Sequence, residues 1–364
     1  MFALARLTGV AVLAATAWAT GHRPLALLAR SWDSRWYLGI AEHGYGRTQH
    51  LRPDLVFSDL AFFPLYPALI RAVTAVSPLS GGTAGLLVSW TAAAVAAAGV
   101  YTIGLRLHGR AVATTLVLLW GLLPHSVVLS MAYTEPVLTA FAAWSLYAVL
   151  TGRWLWAGTL AALAGLARPN GLAVAAAVLV TAAYEILRRL RAGRKVTHRL
   201  WTGAALAPLG WCAYVLWVGH RKGDPLGGYF EVQRLWGSRF DFGRGSLRFV
   251  RHLLLHDDRL LYPVALLIVT AAVLLYALLL ADRPPLPLLV YSGVLLLITL
   301  GGSGFFESKP RLLLPAFPLL LPLARALVRT ARARPWHAAV VAGALAGLSF
   351  CYGAYLVVLA DTPL

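Results

Sequence analysis

The chain has 364 residues, 59% of them hydrophobic and 13% charged, with a formal net charge of +18 and a mean hydropathy of +0.71. A chain this apolar cannot cover itself with polar surface as a soluble globule, so it belongs in a bilayer, where helices satisfy every backbone group within one segment. The positive charge does not mark a nucleic-acid binder, because the arginines are scattered through short loops between apolar runs, where anionic lipid headgroups are the fitting partners.

Residues 4–21 read as a first membrane helix behind Arg6. Ala17-Trp18-Ala19 near its end resembles a signal-cleavage site, but the spans that follow make a retained helix the expectation, with its N-terminus in the cytoplasm. Segment 22–60 is too polar for lipid and opens with the densest cluster of chemistry in the chain, Ser31 to Tyr45. The run Ala61–Arg71, with two prolines and several rings, suits a short helix lying at the interface. Further spans are predicted at 83–105, 111–130, 133–150, 154–168, 171–187, 200–219, 260–281, 286–302, 311–328 and 337–360, which with the first makes about eleven. The expected fold class is all-α and polytopic, with residues 1–364 as a single transmembrane domain.

Short loops set the orientation. Arg106–Arg110, the cluster Arg188–Lys195 and Arg325–Arg334 fall on one side, which their charge makes cytoplasmic. Segments 22–82 and 220–259, the turns 168–170 and 303–310, and the C-terminal tail then share the opposite side. Every carboxylate except Glu185 and Asp282 sorts there too, so the polar chemistry is expected on the extracytoplasmic face of the plasma membrane. Three lysines and one asparagine among abundant Arg, Ala, Gly and Leu suggest a GC-rich, actinobacterial genome. Cys212 and Cys351 each sit in an apolar run and offer neither a disulfide framework nor a thiolate metal site.

Asp33 lies just outside the first span, where a carboxylate can take a proton from a hydroxyl nucleophile. Trp32, Trp36, Tyr37 and Tyr45 offer flat faces for sugar rings, or for an interfacial aromatic belt. Glu135 and Arg168 lie near outer ends of spans, where an unpaired charge costs about 2.5–3.5 kcal/mol on insertion scales, so both should have partners. They can pair with each other, cap a helix end or serve a site. Asn170 sits in Arg168-Pro169-Asn170-Gly171, a turn by its own chemistry. The amphipathic stretch Tyr229–Gly237 can lie in the interface and shape an acceptor cleft. His252 and His256, with Asp257 and Asp258, have spacing that can hold a divalent metal, but a polar helix start at the membrane surface is the favoured reading; His43 and His50 read as loop surface. No Gly-rich phosphate loop is present, which argues against a nucleotide donor.

The run Trp32-Asp33, then Tyr37-Leu38-Gly39-Ile40-Ala41-Glu42-His43-Gly44-Tyr45, then Phe62-Phe63-Pro64-Leu65-Tyr66-Pro67, resembles the first outer loop of the PIG-V-like mannosyltransferases, enzymes of the GT-C fold related to the second mannosyltransferase of GPI-anchor synthesis. Pro124-His125-Ser126 to Ala132-Tyr133-Thr134-Glu135-Pro136 and Ala167-Arg168-Pro169-Asn170-Gly171 fit the same family, as in pattern do Ser308-Lys309-Pro310-Arg311 and Leu314–Pro318. The resemblance implies an inverting transfer of mannose from polyprenyl-phosphate mannose to an acceptor hydroxyl on a glycolipid, polysaccharide or protein. It makes Asp33 the general base. Arg35, Arg168, Lys309 and Arg311 become the candidates for the donor phosphate, since guanidinium forks match phosphate oxygens. Trp32, Tyr37, Glu42, His43, Asp59, Tyr66, Glu135 and Asn170 become candidates for substrate contact. No cofactor beyond the lipid donor is called for, and no metal ligands are assigned. The rival reading is a transporter or flippase of lipid-linked substrates using Glu135 and Arg168, which acids gathered in outer loops and the lack of repeated halves disfavour. Another sugar on the same fold is the third reading.

Overall fold

A computed structural model describes residues 1–52, 55–255 and 260–360. The apolar runs form helices close to where they are predicted, from Phe2–Ala19 to Pro335–Ala354. Among the described residues six helices are long and apolar enough to cross a bilayer, or seven if the broken pair Phe306–Leu312 and Phe317–Ala333 is one span. The protein is a helical membrane protein. The count falls below the number of apolar runs in the sequence for two reasons. Helices Glu135–Leu150, Trp154–Ala167 and Leu286–Gly301 have 16, 14 and 16 residues, and at 1.5 Å per residue they reach only about 21–24 Å of a core about 30 Å thick. The stretch Gly81–Gly121, counted once, also holds two predicted runs as two helices that meet at Gly109, whose φ of 81° bends the chain where only glycine is unstrained.

Proline makes the other breaks. Pro208 separates His198–Leu206 from Leu209–Arg221, because its ring lacks an N–H and collides with the preceding turn. The Pro315 and Pro318 region bends the chain by 80° between Phe306–Leu312 and Phe317–Ala333. That bend turns the short helix Lys309–Leu312 across the end of the bundle, where its charged residues face the outer segments.

The core runs around Glu135–Leu150, which is buried on nearly every side, as expected for a helix without a polar stripe. Backbones come close where small residues meet: an added Cβ at Gly210 would land on the Ala162 carbonyl, and one at Gly203 on the Trp154 carbonyl. Between membrane helices this close approach replaces the hydrophobic drive that lipid does not supply. Gly210→Ala is expected to cost about 1–3 kcal/mol by overpacking, seen as a lower unfolding temperature in detergent.

One element departs from the all-α expectation. Thr48–Arg52 and Leu55–Ser58 pair antiparallel, with Gln49 opposite Phe57. Asp59 secures this hairpin: one buried carboxylate oxygen accepts the backbone N–H groups of Gly46 and Arg47, each at 2.8 Å. Leu65–Val76, the expected short interfacial element, follows as a helix of 12 residues.

Candidate active site

The helix Asp33–His43 begins abruptly. Trp32, with φ 46°, holds a backbone conformation that bulky residues rarely adopt and that persists only where surroundings enforce it. The enforcement is visible two residues on, where the buried Ser34 hydroxyl donates to the Ala132 carbonyl at 3.0 Å. A turn later the Tyr37 hydroxyl lies 3.3 Å from the Thr134 hydroxyl. Burial raises the Tyr37 phenol well above its ordinary pKa, so it works as a neutral hydrogen-bonding group. With Ser34 and Tyr37 turned inward, Asp33 and Trp36 face an open cavity of about 1380 Å³.

Behind Asp33 lies a buried ion network. Arg311 Nη1 is 2.9 Å from Asp33 Oδ2, and Arg311 Nε is 3.2 Å from Glu135 Oε1. Arg168 Nη1 forms a second ion pair with the same Glu135 oxygen and donates to the Thr134 hydroxyl at 3.2 Å. The Arg311 guanidinium also sits 5.2 Å from the centre of the Tyr133 ring, a cation–π distance. Each partner is supplied by a helix end or a turn: Glu135 opens Glu135–Leu150, Arg168 follows Trp154–Ala167, and Arg311 sits in Lys309–Leu312. Glu135 and Arg168 thus find their partners in each other and in Arg311.

The cavity is lined by Arg35, Arg47, Arg168, Arg234, Arg239, Lys309 and Arg311 against Asp33, Asp59, Asp224 and Glu231. With Glu135 behind the wall, positive charge still exceeds negative, which suits an anionic ligand. One wall is aromatic: the Phe57 and Trp236 rings stack at 4.2 Å, and Trp36 meets Trp236 edge-on at 5.3 Å. The Trp236 indole N–H donates to the Ser58 carbonyl at 3.0 Å. Lining residues come from 32–63, 167–172, 211–240 and 298–312, segments far apart in sequence.

The other singled-out residues divide. Trp32, Tyr37, Asp59 and Asn170 line the cavity, as does Arg35, whose Nε donates to the Arg30 carbonyl at 2.9 Å. Lys309 lines it too, but its ammonium already donates to Ser246 Oγ at 2.6 Å and to the carbonyls of Thr299 and Gly302 at 2.7 and 2.8 Å. Glu42 and His43 stand with 77% of each side chain exposed, 4.0 Å apart, outside the cavity lining; helical spacing turns them away from the face that carries Asp33 and Trp36. Tyr66 is also not at the cavity. It is fully buried, donating to the Gly85 carbonyl at 2.9 Å with Ser89 Oγ at 2.7 Å, because a ring at that position of Leu65–Val76 packs into the bundle. His125 is buried with its ring 5.5 Å from that of Tyr352, away from the cavity. Thr134, Tyr133, Arg47, Arg239, Phe57 and Trp211 were not singled out from sequence. Thr134 and Tyr133 adjoin Glu135 in a quoted motif, whereas nothing local marks the other four.

Among the described residues no three His, Cys, Asp or Glu side chains group to hold a metal; His256, Asp257 and Asp258 lie outside the described residues.

Fold and cavity together define a helical membrane protein with a positively charged, partly aromatic cavity. Solved structures similar to this chain are those of the Archaeoglobus fulgidus oligosaccharyltransferase: in complex with Zn and sulfate, 13% identity, TM-score 0.54, covering 100% of this chain and 53% of that one; in the apo form, 13% identity, TM-score 0.51, covering 99% and 56%; and, as AglB, in complex with an inhibitory peptide and a dolichol-phosphate, 14% identity, TM-score 0.50, covering 99% and 56%. This chain spans about half the length of those proteins, and the likeness is one of fold. Comparison with curated protein sequences finds no match. The sequence profile of the family described as Mannosyltransferase (PIG-V) matches residues 18–207, and the chain belongs to that family.

Proposed function

We propose that the cavity transfers mannose from polyprenyl-phosphate mannose to an acceptor hydroxyl with inversion, on the extracytoplasmic face of the plasma membrane, with residues 1–364 acting as one unit. Asp33 takes the acceptor's hydroxyl proton as that oxygen bonds to the anomeric carbon. The bond from the anomeric carbon to the phosphate oxygen breaks, and its electron pair leaves with the polyprenyl phosphate. The observation that carries this reading is the cavity-lining carboxylate of Asp33 held 2.9 Å from Arg311 in a cavity with surplus positive charge. Membership of a mannosyltransferase family favours mannose, and a similar structure in complex with a dolichol-phosphate favours a lipid-linked donor.

In this reading Arg311 has two tasks. Paired with Asp33 it holds the carboxylate in place at the cavity wall. When the donor phosphate enters, Arg311 shifts its fork toward the phosphate oxygens, where planar bidentate contacts stabilise the charge that develops on the leaving group. Asp33 is then released to accept the proton. Arg168 and Arg35 support the phosphate, and Lys309 does so only by giving up one of its three present acceptors. The ring faces of Trp36 and Trp236 suit the sugar.

The test uses membranes containing the wild-type protein, given radiolabelled polyprenyl-phosphate mannose, with label followed into lipid, polysaccharide and protein fractions. Label appearing in one fraction with release of polyprenyl phosphate supports the reading and identifies the acceptor class. Donor that crosses the bilayer with its sugar still attached supports a flippase instead.

A further inference from the structure

Beside the main cavity lies a second one, of about 620 Å³, lined by Arg234, Arg239, Arg248 and His252 with Phe249 and Ser303. It shares Arg234, Arg239, Ser303 and Gly304 with the larger cavity and so adjoins it. Among the described residues no carboxylate lines it, and the acids close by in sequence are occupied. Glu231 pairs with Arg234 at 2.5 Å, and Asp241 accepts the backbone N–H groups of Gly243 at 3.1 Å and Gly245 at 2.7 Å. The guanidiniums of Arg239 and Arg248 form no ion pair or side-chain hydrogen bond among the described residues. The backbone beneath Arg239 is nevertheless firmly built: its N–H donates to Ser303 Oγ at 3.2 Å, and its carbonyl accepts the Ser303 N–H at 2.7 Å and hydroxyl at 3.0 Å.

Exposed apolar side chains accompany these charges in the same segment. Phe240, Phe242 and Leu247 are 50%, 87% and 72% exposed, and Arg248 sits on the helix Arg244–Leu255, whose arginines and leucines alternate at helical spacing. Exposed rings and leucines beside unpaired arginines match the boundary between acyl chains and headgroups. A soluble anion would gain nothing from the apolar collar, and a neutral lipid nothing from the arginines.

We propose that this second cavity is a binding site for the phosphate of an anionic membrane lipid, gripped by Arg239 and Arg248, with the lipid's apolar part resting against Phe240, Phe242 and Leu247. The site shares Arg239 with the larger cavity but involves neither Asp33 nor Arg311, and it stands whether or not the sugar-transfer reading holds.

The test measures binding to the purified full chain in neutral detergent, with dihexanoyl-phosphatidylglycerol as probe, dihexanoyl-phosphatidylcholine as the zwitterionic control and inorganic phosphate as competitor. The wild type is expected to bind phosphatidylglycerol about tenfold or more tightly than phosphatidylcholine, and the double variant R239Q/R248Q to lose that preference. The charge-keeping double variant R239K/R248K should retain most of it, which separates loss of the site from loss of fold. Equal binding of the two lipids by the wild type, or an unchanged preference in R239Q/R248Q, would overturn the proposal. Displacement of the lipid by inorganic phosphate at matching concentrations would overturn the assignment to a lipid.

Discussion

Asp33→Asn is expected to lower transfer by about 10²–10⁴-fold, the range for loss of a general base, in protein that reaches the membrane at wild-type abundance. Asparagine has nearly the shape of aspartate but no oxygen basic enough to take the acceptor's proton. The surrounding structure should tolerate the change, because Arg311 keeps its contact with Glu135 and Ser34 still pins the helix start to Ala132. The loss should therefore fall on kcat with little change in the KM for the donor, since proton removal matters only in the transition state. A variant that transfers at the wild-type rate removes Asp33 from the mechanism.

Glu135→Gln is expected to destabilise the protein by about 3–5 kcal/mol, the usual cost of removing one partner from a buried ion pair. The effect should sit at the upper end because one Glu135 oxygen serves both Arg168 and Arg311, and Glu135 is only 1% exposed. Without that carboxylate, two guanidiniums share the single charge of Asp33. The double variant Glu135→Gln/Arg168→Gln should be more stable than Glu135→Gln alone, because a buried cation leaves together with its anion. Unfolding in detergent, read as a double-mutant cycle, checks this. Additive losses would show that the two residues do not depend on each other.

Much of the fold was legible because bilayer chemistry writes itself locally. Apolar runs, prolines and arginine-rich loops give spans and breaks without any knowledge of tertiary contacts. The hairpin at Thr48–Ser58 was not legible, because Thr48–Arg52 is polar without clear alternation, Leu55–Ser58 has only four residues, and the pair depends on Asp59 for anchorage. Four charged residues that the structure gathers at one point, Asp33, Glu135, Arg168 and Arg311, could be singled out because a charge beside an apolar span is costly unless partnered. Their mutual pairing could not be read, since it depends on how distant helix ends meet. Glu42, His43 and Tyr66 share motifs with cavity residues, yet helix phase sends the first two to solvent and the third into the core. Trp236 lies in the amphipathic stretch expected to shape an acceptor cleft, where nothing local marks it out from its neighbours, and Arg47 and Arg239 carry no local signal that separates them from other loop arginines.

The central claim is a single displacement at the anomeric carbon assisted by Asp33. Its most direct test is the anomeric configuration of the mannose in the product, determined by NMR after transfer from a donor of known configuration by the wild-type protein. The account predicts inversion. Retained configuration would require a covalent sugar intermediate and hence a nucleophile rather than a base in the cavity, and it would contradict the account, as would the absence of any transfer.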